Sequence, residues 1–363
     1  MEPEIKLSPK KIKHLIHDSV KSAKAANLVY VSDTQPGIVR IREKDGFIYR
    51  YNNRLVRSKS SLERIRKLVI PPAWENVWIC TEENGHIQVT GTDLKNRKQY
   101  RYHPMWNALR NQTKFFHMWE FGHQLSKIRS QVNKDLTLPG IPQEKVLATV
   151  VSLMESTNIR IGNNAYEKLY GSFGLSTLKD KHVKIDGAAM KFIFTGKKGV
   201  GHEITIRNKR LAKIVQQCRD IPGKELFQYF DENKQRKSID SGMVNNYLKN
   251  ICGAGFTAKD FRTWNGTIHA LRCLKDLDCD GSESTAKKNI VAALDEVSQQ
   301  LGNTRTVCRK YYVHPIILSL YESQKLSKYR ELEGNLPVDE TFAGLDADER
   351  VLMQILAKEG YDV

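Results

Sequence analysis

Asn303-Thr304-Arg305-Thr306-Val307-Cys308-Arg309-Lys310-Tyr311-Tyr312-Val313-His314-Pro315 sets two adjacent tyrosines behind two cations, just after a helix that Leu301-Gly302 should end. Two readings compete. The segment is either a basic, aromatic loop that touches a polyanion or packs a tyrosine pair, or it carries a nucleophile. A free phenol has a pKa of about 10, so attack at neutral pH needs strong electrostatic help from nearby cations. Spacing alone leaves both readings open.

Three other cationic islands are candidates for that help. Asn158-Ile159-Arg160-Ile161-Gly162-Asn163 ends an apolar helix with a glycine that lets backbone approach a ligand closely. Lys197 stands in the glycine-rich turn Gly196-Lys197-Lys198-Gly199-Val200-Gly201, where an ammonium can project from a hairpin tip. Lys259-Asp260-Phe261-Arg262-Thr263-Trp264 begins an amphipathic helix. Taken singly, each is more often a solvated charge or a structural ion pair.

Around these islands the chain changes character once. A helical stripe of Ile12, Leu15, Ile16 and Val20 is expected over Ser8 to Ala26. From Leu28 to Thr92 short alternating runs predict strands at 37–42, 47–51, 77–80 and 86–89, separated by Pro36-Gly37, Asp45-Gly46, Asn52-Asn53 and Asn84-Gly85. One helix near Ser60 to Leu68, stopped by Pro71-Pro72, interrupts them. After about Asn111 the periodicity turns helical. Helices are predicted near 115–132, 143–158, 208–218, 238–250, 258–274, 282–301 and 346–358, broken by strands at 182–185, 190–194 and 203–206. The expected organisation is α+β, with a small β-rich domain over residues 1–112 and a larger, mainly helical one over 113–363.

Composition narrows the partner. Lys and Arg number 58 against 41 Asp and Glu across 363 residues, a formal charge of +17. Such a balance favours a polyanion, nucleic acid before anionic membrane, because neutralising phosphates drives binding. There is no apolar run long enough for a membrane span, and Met1 to Lys24 is polar and basic, so neither a span nor a secretory leader is expected. The six cysteines are scattered without a C-x-x-C pair, which fits a reducing compartment. Cys273 and Cys279 lack histidines at zinc spacing, so no metal site is expected there.

The order Arg160, Lys197, Arg262, Asn303, Tyr312 resembles the catalytic pentad of type IB DNA topoisomerases, in their small bacterial and poxviral branch. Further motifs in the same order extend the resemblance over nearly the whole chain. They are Ile70-Pro71-Pro72-Ala73-Trp74, Arg97-Lys98-Gln99-Tyr100-Arg101-Tyr102-His103-Pro104, Ile159 to Asn163, Gly171-Ser172-Phe173-Gly174-Leu175 and Lys259 to Thr263. The resemblance implies a two-domain, C-shaped clamp on double-stranded DNA, working as a cytoplasmic, nucleoid-associated monomer. It implies an isomerase that relaxes supercoils by cutting and resealing one strand, with no metal, nucleotide or other cofactor.

The same resemblance implies residue roles. Tyr312 would attack a backbone phosphorus to form a 3′-phosphotyrosyl link; Tyr311 is the rival, and the nine-residue spacing from Asn303 selects Tyr312. Arg160 and Arg262 would clamp the non-bridging oxygens, as paired guanidinium donors do. Lys197 would protonate the departing 5′ oxygen. Asn303 would donate to the phosphate; poxviral and nuclear relatives place histidine there, and an amide cannot titrate. Gln99, Tyr100, Tyr102, Tyr166 and Lys259 would contact DNA, whereas Ala165 replaces a base-contacting lysine of the poxviral pattern and weakens the case for its sequence preference. Arg305 stands where the pattern has proline and is expected to loosen the approach to Tyr312.

Three rivals remain in view. A tyrosine recombinase uses the same chemistry, but usually carries histidine where Lys259 precedes Arg262. A catalytically silent DNA-binding protein would explain the charge but requires no particular pairing of Lys197 with Tyr312. A metal nuclease would instead lose activity to a chelator.

Overall fold

The computed structural model describes residues 15, 18–44, 46–94, 96–253, 255–277, 282–329 and 344–361. Contacts gather the chain into two units, residues 1–117 and 118–362. The division falls inside one long helix, Pro104–Asp135, a few residues beyond the composition change near Asn111.

The first unit is built on a six-stranded sheet. Its elements are α1 (Ser19–Ala25), β1 (Ile38–Glu43), β2 (Gly46–Tyr51), β3 (Arg54–Leu55), α2 (Lys59–Lys67), β4 (Glu75–Ile79), β5 (Ile87–Thr92), β6 (Lys98–Tyr102) and the start of α3 (Pro104–Asp135). The strands lie in the order β3-β2-β1-β4-β5-β6, each antiparallel to its neighbours. Alternation buries Ile38, Val77, Ile79 and Val89 on one face, where α2 adds Ile65. Each such fully buried side chain contributes roughly 1.5–3 kcal/mol. Ser58 caps α2, its hydroxyl accepting from the Ser61 N–H. Arg40 is buried, and its guanidinium donates to the carbonyls of Pro71 and Trp74. A second cluster joins Ala23, Ala26 and Leu28 to Trp106 and Leu109.

Of the helix expected over Ser8 to Ala26, Ser19–Ala25 is observed, and Ser8 to His14, Ile16 and His17 lie outside the described residues. The strands β3 and β6 escaped the sequence reading. So did the first eleven residues of α3, because His103-Pro104 reads as a stop although proline is well suited to a helix's first turn.

The second unit continues α3 and adds α4 (Gln143–Thr157), α5 (Asn164–Tyr170), β7 (Val183–Asp186), β8 (Ala189–Thr195), β9 (Gly201–Arg207), α6 (Lys209–Arg219), β10 (Gln228–Phe230), β11 (Arg236–Ser238), α7 (Ser241–Cys252), α8 (Ala258–Lys275), α9 (Glu283–Leu301), α10 (Arg305–Tyr311), α11 (Pro315–Glu322) and α12 (Ala347–Leu356). Strands β7, β8 and β9 form an antiparallel meander. The apolar helix α4 is buried on most of its surface, and α8 packs against α4, α9, α11 and α12. Thr257 and Asp260 close a capping box at the start of α8, two residues before Arg262.

One partly buried ionic network ties α12 to this core. Arg129 donates to both oxygens of Glu349 at 2.7 Å and to Glu155 at 2.7 Å, and the Trp264 indole donates to Glu349 at 2.9 Å. Burial works against the Glu349 carboxylate, but Arg129 and Trp264 prevail and hold it below its ordinary range. Among the described residues no helix is long and apolar enough to cross a membrane.

Candidate active site

Three chain segments far apart in sequence meet at the C-terminal ends of α4 and α9. Helix α4 ends at Asn158, which adopts a left-handed conformation (φ 58°), and α9 ends at Gly302 in the same conformation (φ 56°). Both ends leave carbonyls in need of donors. Arg262, from the second turn of α8 and 4% exposed, supplies them. One of its Nη atoms donates to the Asn158 carbonyl and the other to the Leu301 carbonyl at 2.6 Å. A cation is favoured there, at the negative ends of two helix dipoles.

Arg160, two residues past the end of α4, reaches the same place. Its Nη2 donates to the Gly302 carbonyl at 3.1 Å and to Asn303 Oδ1 at 2.5 Å. The backbone around Arg160 is held by a second segment: the Arg160 carbonyl accepts from the Leu175 N–H at 2.9 Å, and that of Ile161 from the Ser176 N–H at 2.7 Å. The two strips lie so close that a Cβ on Gly174 would sit 2.5 Å from the Arg160 oxygen. Gly162 (φ 92°) occupies the facing position, so glycine is required on both sides.

The tyrosine segment is fixed by α8. The Thr267 hydroxyl, fully buried, accepts from the His314 N–H at 3.0 Å, and its proton reaches the carbonyls of Thr263 (2.9 Å) and Tyr312 (3.2 Å). Gly266 permits the approach, since a Cβ there would lie 2.8 Å from the Tyr312 oxygen. The segment is not a loop. Thr304 caps a helix, α10, that runs to Tyr311 and leaves Tyr312 at its C-terminal boundary. Arg305 opens that helix and bonds Asp295 through Nε and Nη2, both at 2.6 Å, which fastens α10 to α9 where loosening was expected.

The outcome is a cleft of about 470 Å³ lined by Arg160, Gly162, Tyr166, Lys197, Lys259, Arg262 and Tyr312, among others. Lys197 enters it from the turn after β8, closed by the Gly196 N–H on the Val200 carbonyl at 2.7 Å. Asn303 joins through its bond to Arg160. Thus all five residues of the expected pentad gather at one place, with Tyr166 and Lys259 beside them. Tyr311 is 39% exposed and does not line the cleft; the Lys310 ammonium sits 5.7 Å from its ring.

Electrostatics make the cleft a receptor for an anion. Burial, then the like charge of Arg160, pushes the Arg262 guanidinium down to about 10, and Tyr312 opposes that shift. Burial likewise lowers Arg160, again opposed by Tyr312. The Arg262 guanidinium carbon lies 5.2 Å from the centre of the Tyr312 ring. Two donors, Arg262 Nε and Asn303 Nδ2, are buried with no acceptor among the described residues. Two buried, unpaired donors beside two crowded cations are chemically suited to an oxyanion.

The remaining expected contacts lie in the first unit. Tyr100 and Tyr102 stack on one face of β6 with ring centres 5.9 Å apart, Tyr100 being 44% exposed. Strand alternation turns Gln99 to the other face, where its amide donates to Asp93 at 2.9 Å. These tyrosines border a separate cleft of about 890 Å³ whose other walls include Arg64, Lys67 and Arg101, cations the sequence reading had not singled out.

Cys279 lies outside the described residues, but Cys273 acquires other neighbours. His269, Cys273 and Glu296 bring their ligand atoms within 4.8 Å of one another on α8 and α9. His269, one helical turn before Cys273, was overlooked in the sequence. The thiol donates to Glu296 at 3.2 Å, and burial with that carboxylate pushes it up to about 12, far from the thiolate that a metal prefers.

Comparison with known proteins identifies the family. Residues 98–334 match the family model described as "Eukaryotic DNA topoisomerase I, catalytic core", and residues 46–93 match "Bacterial DNA topoisomerase IB, N-terminal domain". The DNA topoisomerase 1B of Acanthamoeba polyphaga mimivirus is 34% identical over 296 residues, which span 79% of this chain and 88% of that one. The DNA topoisomerase 1B of Vaccinia virus (strain Copenhagen) is 24% identical over 77% of this chain and 89% of its own. DNA topoisomerase 1 beta of Arabidopsis thaliana is 26% identical over 60% of this chain and 22% of its own.

Proposed function

The chain belongs to the type IB DNA topoisomerases, and we propose that it relaxes supercoiled DNA with Tyr312 as its nucleophile. Tyr312 Oη attacks a backbone phosphorus; as the new P–O bond forms, the bond to O5′ breaks, leaving a 3′-phosphotyrosyl link. Lys197 Nζ gives its proton to O5′, without which an alkoxide would have to leave. The phenol's own proton passes to solvent. Arg160, Arg262 and Asn303 hold the two non-bridging oxygens while negative charge concentrates on them, the role a divalent cation plays in many phosphoryl transfers. Reversal reseals the strand. The energy of the phosphodiester is conserved in the tyrosyl link, so no nucleotide is consumed.

The observation that carries this reading is the convergence of two guanidiniums on one cleft with Tyr312 and Lys197, Asn303 joining through its bond to Arg160 with its Nδ2 donor left free among the described residues. A binding protein gains nothing from burying like charges together at a cost in solvation. The five residues come from a single chain, which is consistent with action as a monomer in the DNA-bearing compartment. Residues 1–117 would supply the DNA-clamp surface, with Tyr100 and Tyr102 as stacking or backbone contacts. Tyr166 and Lys259 would flank the scissile phosphate.

Supercoiled plasmid tests the reading. Relaxation should persist in EDTA without ATP and vanish in Tyr312→Phe. Loss of activity in EDTA would indicate a metal nuclease instead, and binding without relaxation would indicate a silent DNA-binding protein.

A further inference from the structure

Between the Lys197 turn and the Arg160–Asn303 pair stands a side chain with no part so far. His202 is the second residue of β9, directly opposite Phe194 on β8, and the two rings stack with centres 5.0 Å apart. That stack directs the imidazole at two glycines. A Cβ on Gly196 would meet His202 Cδ2 and Nε2 at 2.6 Å, and one on Gly302 would meet His202 Cε1 at 2.5 Å. Gly196 immediately precedes Lys197. Gly302 immediately precedes Asn303, and its carbonyl accepts from Arg160. One ring therefore fills the space between the turn that delivers the lysine and the helix end that holds the phosphate-side donors.

The two sides are not equally secured. Arg160, Asn303 and Gly302 are bonded to one another, and α9 stands behind them. The turn is held by its strand pairing and the Gly196 bond to Val200, and it includes two left-handed residues, Lys198 (φ 64°) and Gly199 (φ 77°). If the ring is lost, the turn is the part that shifts.

We infer that His202 is a positioning residue for the leaving-group proton: its ring braces the Lys197 turn against the Gly302 helix end. The inference rests on the reading of Lys197 as general acid. It differs from a merely structural role in where the defect falls. Misplacing an acid slows only departures that need a proton, and a misplacement of an ångström costs up to about a hundredfold.

A chemical substitution in the DNA separates the cases. With sulfur in place of the bridging 5′ oxygen at the cleavage site, the leaving group is a thiolate, whose conjugate acid has a pKa of about 8.5 by analogy with cysteine, and it departs unaided. Single-turnover covalent cleavage is measured on oxygen and sulfur substrates for the full chain, His202→Ala, His202→Gln, Gly196→Ala and Lys197→Ala. Gly196→Ala perturbs the same contact from the other side without altering the histidine. The His202 and Gly196 variants should cleave the oxygen substrate about ten- to a hundredfold more slowly and the sulfur substrate within about threefold of the parent. Equal slowing on both substrates overturns the inference, as does unchanged cleavage of oxygen by the His202 variants or by Gly196→Ala. A Lys197→Ala protein that sulfur does not rescue refutes the general-acid reading itself. Its behaviour thus distinguishes the two failures.

Discussion

Gly266→Ala should separate catalysis from stability, because the added methyl meets the nucleophile's own backbone. A Cβ at that position would lie 2.8 Å from the Tyr312 oxygen, 3.2 Å from its Cβ and 3.1 Å from Leu301 Cδ1. Ordinary carbon contacts are roughly 3.5–4.0 Å, so something must yield by about half an ångström or more. Leu301 can turn its methyl, but the Tyr312 segment is pinned by Thr267 on the same helix and is pushed as a unit. In the folded-state balance, alanine regains about 1 kcal/mol of helix propensity, while overpacking costs roughly 1–3 kcal/mol. Net stability therefore changes by at most about 2 kcal/mol. The reacting oxygen feels the same displacement, and half an ångström at a near-attack geometry costs about tenfold in rate. Single-turnover cleavage at saturating protein, alongside denaturant unfolding, reads both quantities. Cleavage at the parent rate with a native-like unfolding curve would refute the idea that this glycine sets the position of Tyr312.

Other consequences follow from individual contacts. Glu349→Ala removes the bidentate partner of Arg129 and the acceptor of Trp264, and should cost about 3–5 kcal/mol in urea unfolding; a loss below about 1 kcal/mol would mean that the network is incidental. His86, His103, His182, His202 and His269 are all held below the ordinary histidine value chiefly by burial. The unfolded chain then binds more protons, so their contribution is fully present above a pH of about 6.5 and is lost as pH falls through the depressed values. Melting temperature should accordingly drop on acidification from about pH 7.5 to 5.5, and a flat or rising profile would contradict that sign. Tyr311→Phe should keep relaxation within about threefold of the parent, its phenol lying outside the cleft; abolished activity would mean that the two tyrosines were assigned in the wrong order.

What the sequence made legible follows from the range of the interactions involved. Strands β1, β2, β4 and β5 announce themselves by alternation between turn residues, and α8 and α9 by apolar periodicity behind Thr257 and Ser282 caps. Short elements were lost where composition misleads. Helix α10 is concealed because Gly302 ends one helix and basic, aromatic residues follow, although Thr304 is an ordinary N-cap. Helix α5 starts behind Asn163, whose side chain accepts from the Ala165 N–H, another cap passed over. Helix α11 hides behind His314-Pro315, the same combination that concealed the start of α3. The pentad could be named only because the motifs resemble a family. Nothing in the spacing of Arg160, Arg262 and Leu301 reveals that both arginines serve helix ends, since those carbonyl bonds span 142, 104 and 39 residues. The alternation that separates Gln99 from Tyr100 and Tyr102 is written in the sequence of β6. His202 gave no signal, because its importance lies in two glycines from other segments that only the folded chain brings to it.

The central claim is that Tyr312 becomes covalently joined to DNA through a 3′ phosphate. Trapping the protein on a nicked or suicide duplex, digesting it and mapping the DNA-bearing peptide tests that claim most directly. The account predicts one adduct, on Tyr312, with a free 5′-hydroxyl on the released strand. An adduct on another residue, a link to the 5′ end, or relaxation with no covalent species at all would contradict it.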